Sequence, residues 1–326
     1  FFPTAKRYLL RSLSIEATKR PETDFKIPFT AARAAAGLAK VFKNIGLSRQ
    51  DREFARIVVV FGHGSRTVNN PFGACYNCGA CGGREGGPNA RLMARCANDP
   101  DVREVLKKEY QICIPEDTWF VGGYHDTSAE LLELSDVDRV PASHTSHLHQ
   151  AQELLEVARG KSAVERCRMF MQAQHCTTPE LALVHTHTRT TDLGQSRPEL
   201  GHSTNAAVIA GRRELSKGLF LARRAFLASY DPFNDDERGT NLELVMTPAL
   251  VVCSGISLEY LYSTTDGGAG TKVAMNMVGD FGVMQGAAGG DLLVGLPTQM
   301  TEFHTPVRAI FLVDAPLARL EAVLGR

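Results

Sequence analysis

IVVVFGHG, at residues 57–64, carries the strongest signal of the fold class in this sequence. Its first five residues are apolar and four of them are β-branched, which is typical of a strand buried on both faces of a parallel sheet. A second run, WFVGGY at residues 119–124, is followed in the same way by His125 and Asp126. Open α/β sheets place their ligands at the carboxyl ends of the strands. We therefore predict that His63 and His125 lie at a functional edge of the sheet.

Predicted helices and strands alternate along the rest of the chain. Helices are predicted at residues 31–42, 89–96, 102–110, 150–159, 162–174 and 240–262. Further strands are predicted at residues 206–210, 218–221, 226–230 and 307–313. This alternation predicts an α/β fold, with a mostly parallel sheet flanked by helices. We interpret residues 1–50 as a basic helical lead-in, the remnant of a longer chain, and residues 51–326 as a single α/β domain.

The composition excludes several classes of protein. The chain has 326 residues, of which 44% are hydrophobic, so it can bury a sizeable core. Its 36 basic and 36 acidic residues cancel, which argues against a nucleic-acid partner. No apolar run approaches the roughly 20 residues that cross a bilayer. We therefore expect any membrane association to be peripheral.

Three of the eight cysteines, Cys75, Cys78 and Cys81, fall within seven residues. This crowding indicates metal or redox chemistry in a reducing compartment, because the overall cysteine density is too low for a disulfide-stapled secreted protein. Imidazole and thiolate are the preferred ligands of Zn²⁺. Two ligand sets compete: His63 with Cys78, or the compact cysteine set alone. The plainer alternative is that Cys75 and Cys81 are small buried residues and that His63 only forms a hydrogen bond in the core.

Other histidines carry weaker signals. His144, His147 and His149 have the spacing of a metal site but lie in a polar segment that we expect to be exposed, and His185 and His187 receive the same interpretation. The glycine-rich residues 266–270 lack the Lys-Ser/Thr of a phosphate-binding loop, which argues against a nucleotide-dependent enzyme.

Six segments together resemble the signature of the DabA family. They are GHGSRTVNNP at 62–71, CGACGG at 78–83, PNAR at 88–91, IPEDTWF at 114–120, RPELGHSTN at 197–205 and GLPTQ at 295–299. The likeness runs in order from about residue 50 to about residue 315. DabA is the large soluble subunit of a bacterial energy-coupled transporter of inorganic carbon, and its core resembles a β-type carbonic anhydrase. The resemblance therefore implies a β-carbonic-anhydrase-like core with family-specific extensions.

The family binds Zn²⁺ through four residues, and the resemblance assigns two of them here, His63 and Cys78. We expect these two side chains to lie within the reach of one zinc ion. Asn69, Asn70, His125 and Asp126 are candidates to support the ligands or to relay protons, although His125 is equally well explained by a local turn. No residue is assigned a direct catalytic role.

The other two family ligands, a Cys-x-Asp pair, have no counterpart, because none of the eight cysteines is followed two residues later by Asp. The chain also has Asn77 where the family usually has Asp. The chain thus resembles only the carboxyl-terminal half or so of the family. Either a separate chain supplies the pair, or the sequence is incomplete, or the metal has been lost, in which case Cys75 or Cys81 could compensate.

The resemblance implies zinc-dependent hydration of CO₂ to bicarbonate, if the missing pair is supplied. It also implies an antiporter-like membrane partner, similar to subunits of respiratory complex I, and a peripheral location on the cytoplasmic side of the bacterial inner membrane. The alternative is a catalytically silent scaffold subunit of a membrane assembly. A free-standing zinc or redox protein that uses Cys75, Cys78 and Cys81 is a third interpretation.

Overall fold

The structure is a computed structural model, and it describes residues 24–47, 54–66, 77–78, 81, 84–192, 205–255, 276–278, 281–283, 285–286, 290–291 and 309–325. In that part of the chain the α-helices are α1 (Ala31–Ile45), α2 (Gly87–Asn98), α3 (Pro100–Tyr110), α4 (Thr145–Cys167), α5 (Pro179–Thr190), α6 (Thr240–Ala249) and α7 (Leu317–Leu324). The strands are β1 (Ile57–Gly64), β2 (Trp119–Asp126), β3 (Leu131–Leu134), β4 (Ala207–Gly211), β5 (Ala225–Ser229), β6 (Asn276–Val278), β7 (Phe281–Val283), β8 (Gln285–Gly286), β9 (Gly290–Asp291) and β10 (Ile310–Val313).

The chain divides into two units, each of which packs mainly against itself. The first includes the described residues 24–36, 54–66, 77–78, 81 and 84–192, and the second includes residues 37–47, 205–255 and 309–325. Helix α1 contributes residues to both. The predicted boundary at residue 50 stays a prediction.

The sheet of the first unit has the order β1-β2-β3. Strand β1 is parallel to β2, with Ile57 opposite Trp119 and His63 opposite His125, whereas β3 runs antiparallel to β2. Val121, Leu134 and Leu148 of α4 form a buried cluster against which Val59 packs. The two predicted strands that end in a histidine are therefore neighbours, and their histidines share one edge of the sheet.

Helix α2 packs against β1 and β2 at two glycines. A Cβ on Gly62 would lie 2.1 Å from the carbonyl carbon of Gly86, and one on Gly122 would lie 2.5 Å from the Cα of Arg91. Neither position has room for a side chain, so both glycines allow the helix backbone to approach the strands. Glycine in the middle of a strand often marks this kind of contact.

The second unit contains an all-parallel sheet of order β10-β4-β5. Its core includes the buried residues Ala210, Tyr230, Leu242 and Met246. The carboxyl ends of β4 and β10 are joined by an ion pair in which Arg212 Nε lies 2.6 Å from Asp314 Oδ2.

The α/β class is confirmed, but the described parallel pairs belong to two separate sheets, of which β10-β4-β5 is all-parallel and β1-β2-β3 is mixed. The strand predicted at 218–221 is wrong: Gly218 (φ 80°), Ala222 (φ 49°) and Arg223 (φ 55°) take left-handed conformations, which produce a turn. The helices predicted at 150–159 and 162–174 are mostly one helix, α4, which continues through residues 160–161 and ends at Cys167.

The helix predicted at 240–262 changes type part of the way along. After α6, which contains Pro248, the backbone continues as a π-helix over Leu250–Gly255, and residues 256–262 lie outside the described part. Proline lacks the amide hydrogen that an α-helix needs in its interior, which explains the change. Strand β3 and helices α5 and α7 were not predicted. No helix among the described residues is both long and apolar enough to span a membrane.

Replacing Gly62 with alanine should lower the free energy of unfolding by about 1–3 kcal/mol, because the new methyl group forces β1 and α2 apart. Urea unfolding measures this change. Gly37→Ala is the matched control: Gly37 lies within α1 with nothing within 4 Å of a Cβ, so this change should stabilise the protein by about 0.5–1 kcal/mol. A Gly62→Ala variant as stable as the unaltered protein would contradict the packing described.

Candidate metal centre

His63 lies at the carboxyl end of β1, and its imidazole is exposed. The backbone at this point is fixed from two sides. The His63 carbonyl accepts a hydrogen bond of 2.8 Å from the amide of Gly86, and His63 is opposite His125 in the β1–β2 ladder. An exposed imidazole on a fixed backbone is available to bind a ligand.

The chain returns to the end of β1 at Asn77. The Asn77 side-chain oxygen accepts a hydrogen bond of 3.0 Å from the amide of Ser65, two residues after His63. The next residue, Cys78, donates its amide hydrogen to the carbonyl of Arg84 at 3.0 Å. Cys78 is thus held close in space to the strand that carries His63. That His63 and Cys78 share one metal ion stays a prediction.

Cys81 lies beside Cys78, and their sulfur atoms are 2.8 Å apart. The amide nitrogen Nδ2 of Asn89, in the first turn of α2, lies 3.2 Å from the Cys81 sulfur. Within the described residues, no group of three or more His, Cys, Asp or Glu side chains is arranged so that it could hold a metal ion. Cys75, Asn69 and Asn70 lie outside that part of the chain.

A buried carboxylate, Glu130, holds His125 in place. Glu130 Oε2 lies 2.8 Å from His125 Nε2, and Oε1 accepts a hydrogen bond of 2.6 Å from Ser162 and lies 2.9 Å from the guanidinium of Arg166. Burial acts to raise the pKa of Glu130, but the charge of Arg166 and the His125 hydrogen bond outweigh it and lower the pKa to about 2. Glu130 is therefore ionised at neutral pH.

Asp126 organises the turn between β2 and β3. Its Oδ1 accepts hydrogen bonds from the amides of Ser128 (3.1 Å) and Ala129 (3.2 Å) and from the Ser128 hydroxyl (2.8 Å). This buried carboxylate thus has a structural role in the turn. Proton relay by His125 or Asp126 stays a prediction.

His144 differs from the expectation that it is exposed. It is buried, and its two ring nitrogens lie 2.8 Å from the Asp117 carbonyl and 2.9 Å from the Ser143 hydroxyl. His149 is exposed on α4, beside Glu153. The ring of His144 is thus occupied by hydrogen bonds that fix the start of α4.

Sequence reasoning missed Glu130, Arg159 and Arg166. Arg159 donates to the Glu130 carbonyl at 3.1 Å, so both arginines of α4 hold the same turn. Their spacing of seven residues places them on one face of a helix and could have identified them. Glu130 has a positive φ of 54°, which nothing in its sequence surroundings signals.

A cleft of about 560 Å³ lies elsewhere in the first unit. Beside it, Arg91 and Arg95 each form two hydrogen bonds of 2.7–2.8 Å with Asp136. None of the predicted site residues lines this cleft. It is therefore separate from the candidate metal centre.

Replacing Glu130 with glutamine should lower the free energy of unfolding at neutral pH by about 3–5 kcal/mol, because Arg166 is left buried without its counter-charge. The pKa of Glu130 falls from an ordinary 4.5 to about 2 on folding, so its stabilisation is present above pH 4.5 and is lost as the pH falls toward 2. Unfolding followed from pH 7 to pH 2 measures both effects. The exposed Glu104, replaced in the same way, serves as the control and should leave stability nearly unchanged. Equal losses in the two variants would contradict the role of Glu130.

Comparison with known proteins identifies the family. The family model described as "Probable inorganic carbon transporter subunit DabA" matches residues 1–326. Similar curated proteins include probable inorganic carbon transporter subunit DabA 2 of Sorangium cellulosum, 48% identical over 301 residues (91% of this chain and 29% of the relative). The DabA protein of Methylococcus capsulatus is 47% identical over 300 residues (91% and 27%), and that of Nitrosococcus oceani is 41% identical over 327 residues (99% and 29%).

No solved structure is significantly similar to the chain. The chain spans less than a third of the length of these curated relatives. Because the family model covers every residue and the relatives match nearly the whole chain, this chain belongs to the DabA family of probable inorganic carbon transporter subunits.

Proposed function

We propose that the chain is part of an inorganic-carbon transport subunit that hydrates CO₂ to bicarbonate with a zinc ion bound by His63 and Cys78. The observation that carries this proposal is the hydrogen bond between Asn77 and the amide of Ser65. It brings Cys78, the residue after Asn77, back to the strand that bears His63. Membership of the family supports the transport role.

The donor types fit zinc. An imidazole and a thiolate are both preferred ligands, and the exposed His63 sits on a backbone that is held from both sides. When bound, zinc lowers the pKa of a water molecule, which prepares that water to attack CO₂. His63 and Cys78 would hold the metal, and the Cys81 sulfur lies 2.8 Å from the Cys78 sulfur.

Neighbouring groups position the site in this proposal. Glu130 orients the side chain of His125, which is opposite His63 in the β1–β2 ladder. The buried Arg166 keeps Glu130 ionised. Asp126 fixes the turn that follows, so the end of β2 keeps its shape beside the end of β1. His125 stands where it could accept a proton released at the site. Asn69 and Asn70 remain candidates for a similar supporting role.

The remaining two ligands come from another polypeptide segment that pairs with β1. Five consecutive apolar residues are expected in a strand covered on both faces, yet four of them in β1 are only half-buried and Phe61 is exposed, whereas most of β2 is buried. Parallel pairing along β1 would bury this surface and would place the carboxyl end of the added strand beside His63. The Cys-x-Asp pair belongs at that end.

The assembly operates with an antiporter-like membrane subunit, and the chain is peripheral on the cytoplasmic side of the inner membrane. These two statements rest on the family resemblance. A catalytically silent scaffold remains the competing function, since this sequence contains no Cys-x-Asp pair.

Zinc content tests the ligand assignment. The assembled protein, purified as its host makes it, should contain about one zinc per subunit, and His63→Ala or Cys78→Ser should reduce this to below about a tenth, because the ligands that remain no longer suffice. CO₂ hydration should fall together with the metal. The control is Cys113→Ser, at an exposed cysteine that is not among the predicted ligands, which should retain both. An assembly without zinc would favour the scaffold.

The need for a partner segment is tested by expressing the 326 residues with and without the rest of a DabA subunit. Alone, the chain should self-associate and bind zinc weakly, since β1 is an edge strand among the described residues and an apolar edge strand promotes association. Together, the two parts should form a stable complex that buries more than about 2,000 Å². Light scattering measures whether the chain self-associates or forms the complex, and metal analysis measures its zinc content. A monodisperse monomer that binds zinc on its own would contradict the proposal.

A further inference from the structure

Cys78 and Cys81 stand close enough to react with each other. Their sulfur atoms are 2.8 Å apart, and both residues are thiols that are partly exposed to solvent. A disulfide bond is about 2.05 Å long, so closing it requires a sulfur displacement of less than about 1 Å.

The backbone around the two thiols holds them in this arrangement. The amide of Cys81 donates to the carbonyl of Cys78 at 3.0 Å, which closes a tight turn. Cys78 is paired with Arg84, and Asn89 of α2 contacts the Cys81 sulfur. Bond formation therefore closes a ring within a turn that already exists.

The other described cysteines lack this combination of proximity and access. Cys96, Cys167, Cys176 and Cys253 are buried, and burial raises the pKa of Cys167 to about 12, which keeps it protonated and inert. Cys113 is exposed.

We propose that Cys78 and Cys81 form a redox-active dithiol that small-molecule disulfides oxidise. One cysteine sulfur attacks the reagent R–S–S–R, forms a mixed disulfide and releases one R–S⁻. The second cysteine sulfur then attacks the first, closes the Cys78–Cys81 bond and releases the second R–S⁻. Two protein thiols are oxidised, the reagent is reduced to two R–SH, and the two thiol protons pass to these products.

This reaction has a consequence that rests on the proposed function. A sulfur in a disulfide is no longer the thiolate that a metal needs, so oxidation removes Cys78 from zinc. Conversely, bound zinc protects the pair. The dithiol thus links the redox state of the compartment to metal occupancy.

The test uses the protein purified as its host makes it, stripped of metal and incubated with oxidised glutathione. After alkylation of the remaining thiols, trypsin releases residues 67–84 as one peptide, which contains Cys75, Cys78 and Cys81. Mass spectrometry should find one internal disulfide and one alkylated thiol in this peptide. Cys75→Ser and Cys113→Ser should retain the disulfide, and Cys81→Ser should abolish it. A disulfide that survives Cys81→Ser, or no disulfide in the unaltered protein, would overturn the proposal.

The same experiment with zinc present separates the two proposals. Saturating zinc should slow closure of the disulfide by about tenfold or more, because a sulfur bound to zinc cannot attack the disulfide reagent. Oxidation should in turn release zinc to a chromogenic chelator, because a disulfide sulfur no longer binds the metal. If closure is equally fast with and without zinc, the dithiol stands and the role of Cys78 as a zinc ligand fails. If zinc binds through Cys78 and the pair does not close in the stripped protein, the dithiol fails and the metal site stands.

Discussion

The close approach of the end of β1 to the start of α2 is the constraint on which the candidate site depends. Gly62 meets Gly86 where no side chain could fit, and the amide of Gly86 binds the carbonyl of His63. This approach fixes the backbone of His63 from the helix side, while the pairing with β2 fixes it from the other. The glycines on either side of His63 are thus a packing requirement of the strand as much as a feature of the site.

A buried charge network stabilises the same edge of the sheet from its other face. Glu130, 2% exposed, and Arg166, 1% exposed, face each other between the turn after β2 and helix α4. Removing both charges from water is costly, and it is offset only when the hydrogen bonds are satisfied, as those from His125 and Ser162 are here. The network therefore specifies where α4 lies and how the side chain of His125 is oriented.

The main strands and the positions of the two histidines were predictable from sequence, because short, mostly apolar runs that are followed by a histidine leave few alternatives. Helix α4 was harder: two helices were predicted with a gap at residues 160–161, but a Cβ on Gly160 would lie 2.8 Å from the side chain of Pro179, so this glycine allows α5 to pack against one continuous helix. Strand β3 is short and follows a residue with a positive φ, and neither property leaves a pattern in the sequence. Glu130 was missed for the same reason. Its role depends on partners 32 and 36 positions away along the chain.

The register of β1 with β2 has a consequence for synthesis of the chain. Ile57 pairs with Trp119, so 62 residues separate the two ends of the first contact. At about 5–20 residues per second, β1 leaves the ribosome some 3–12 seconds before β2 is complete. Throughout that interval the five apolar residues 57–61 of β1 cannot pair with β2, because β2 has not yet been made. A nascent-chain chaperone that shields short apolar segments would therefore find residues 57–61 accessible throughout this interval.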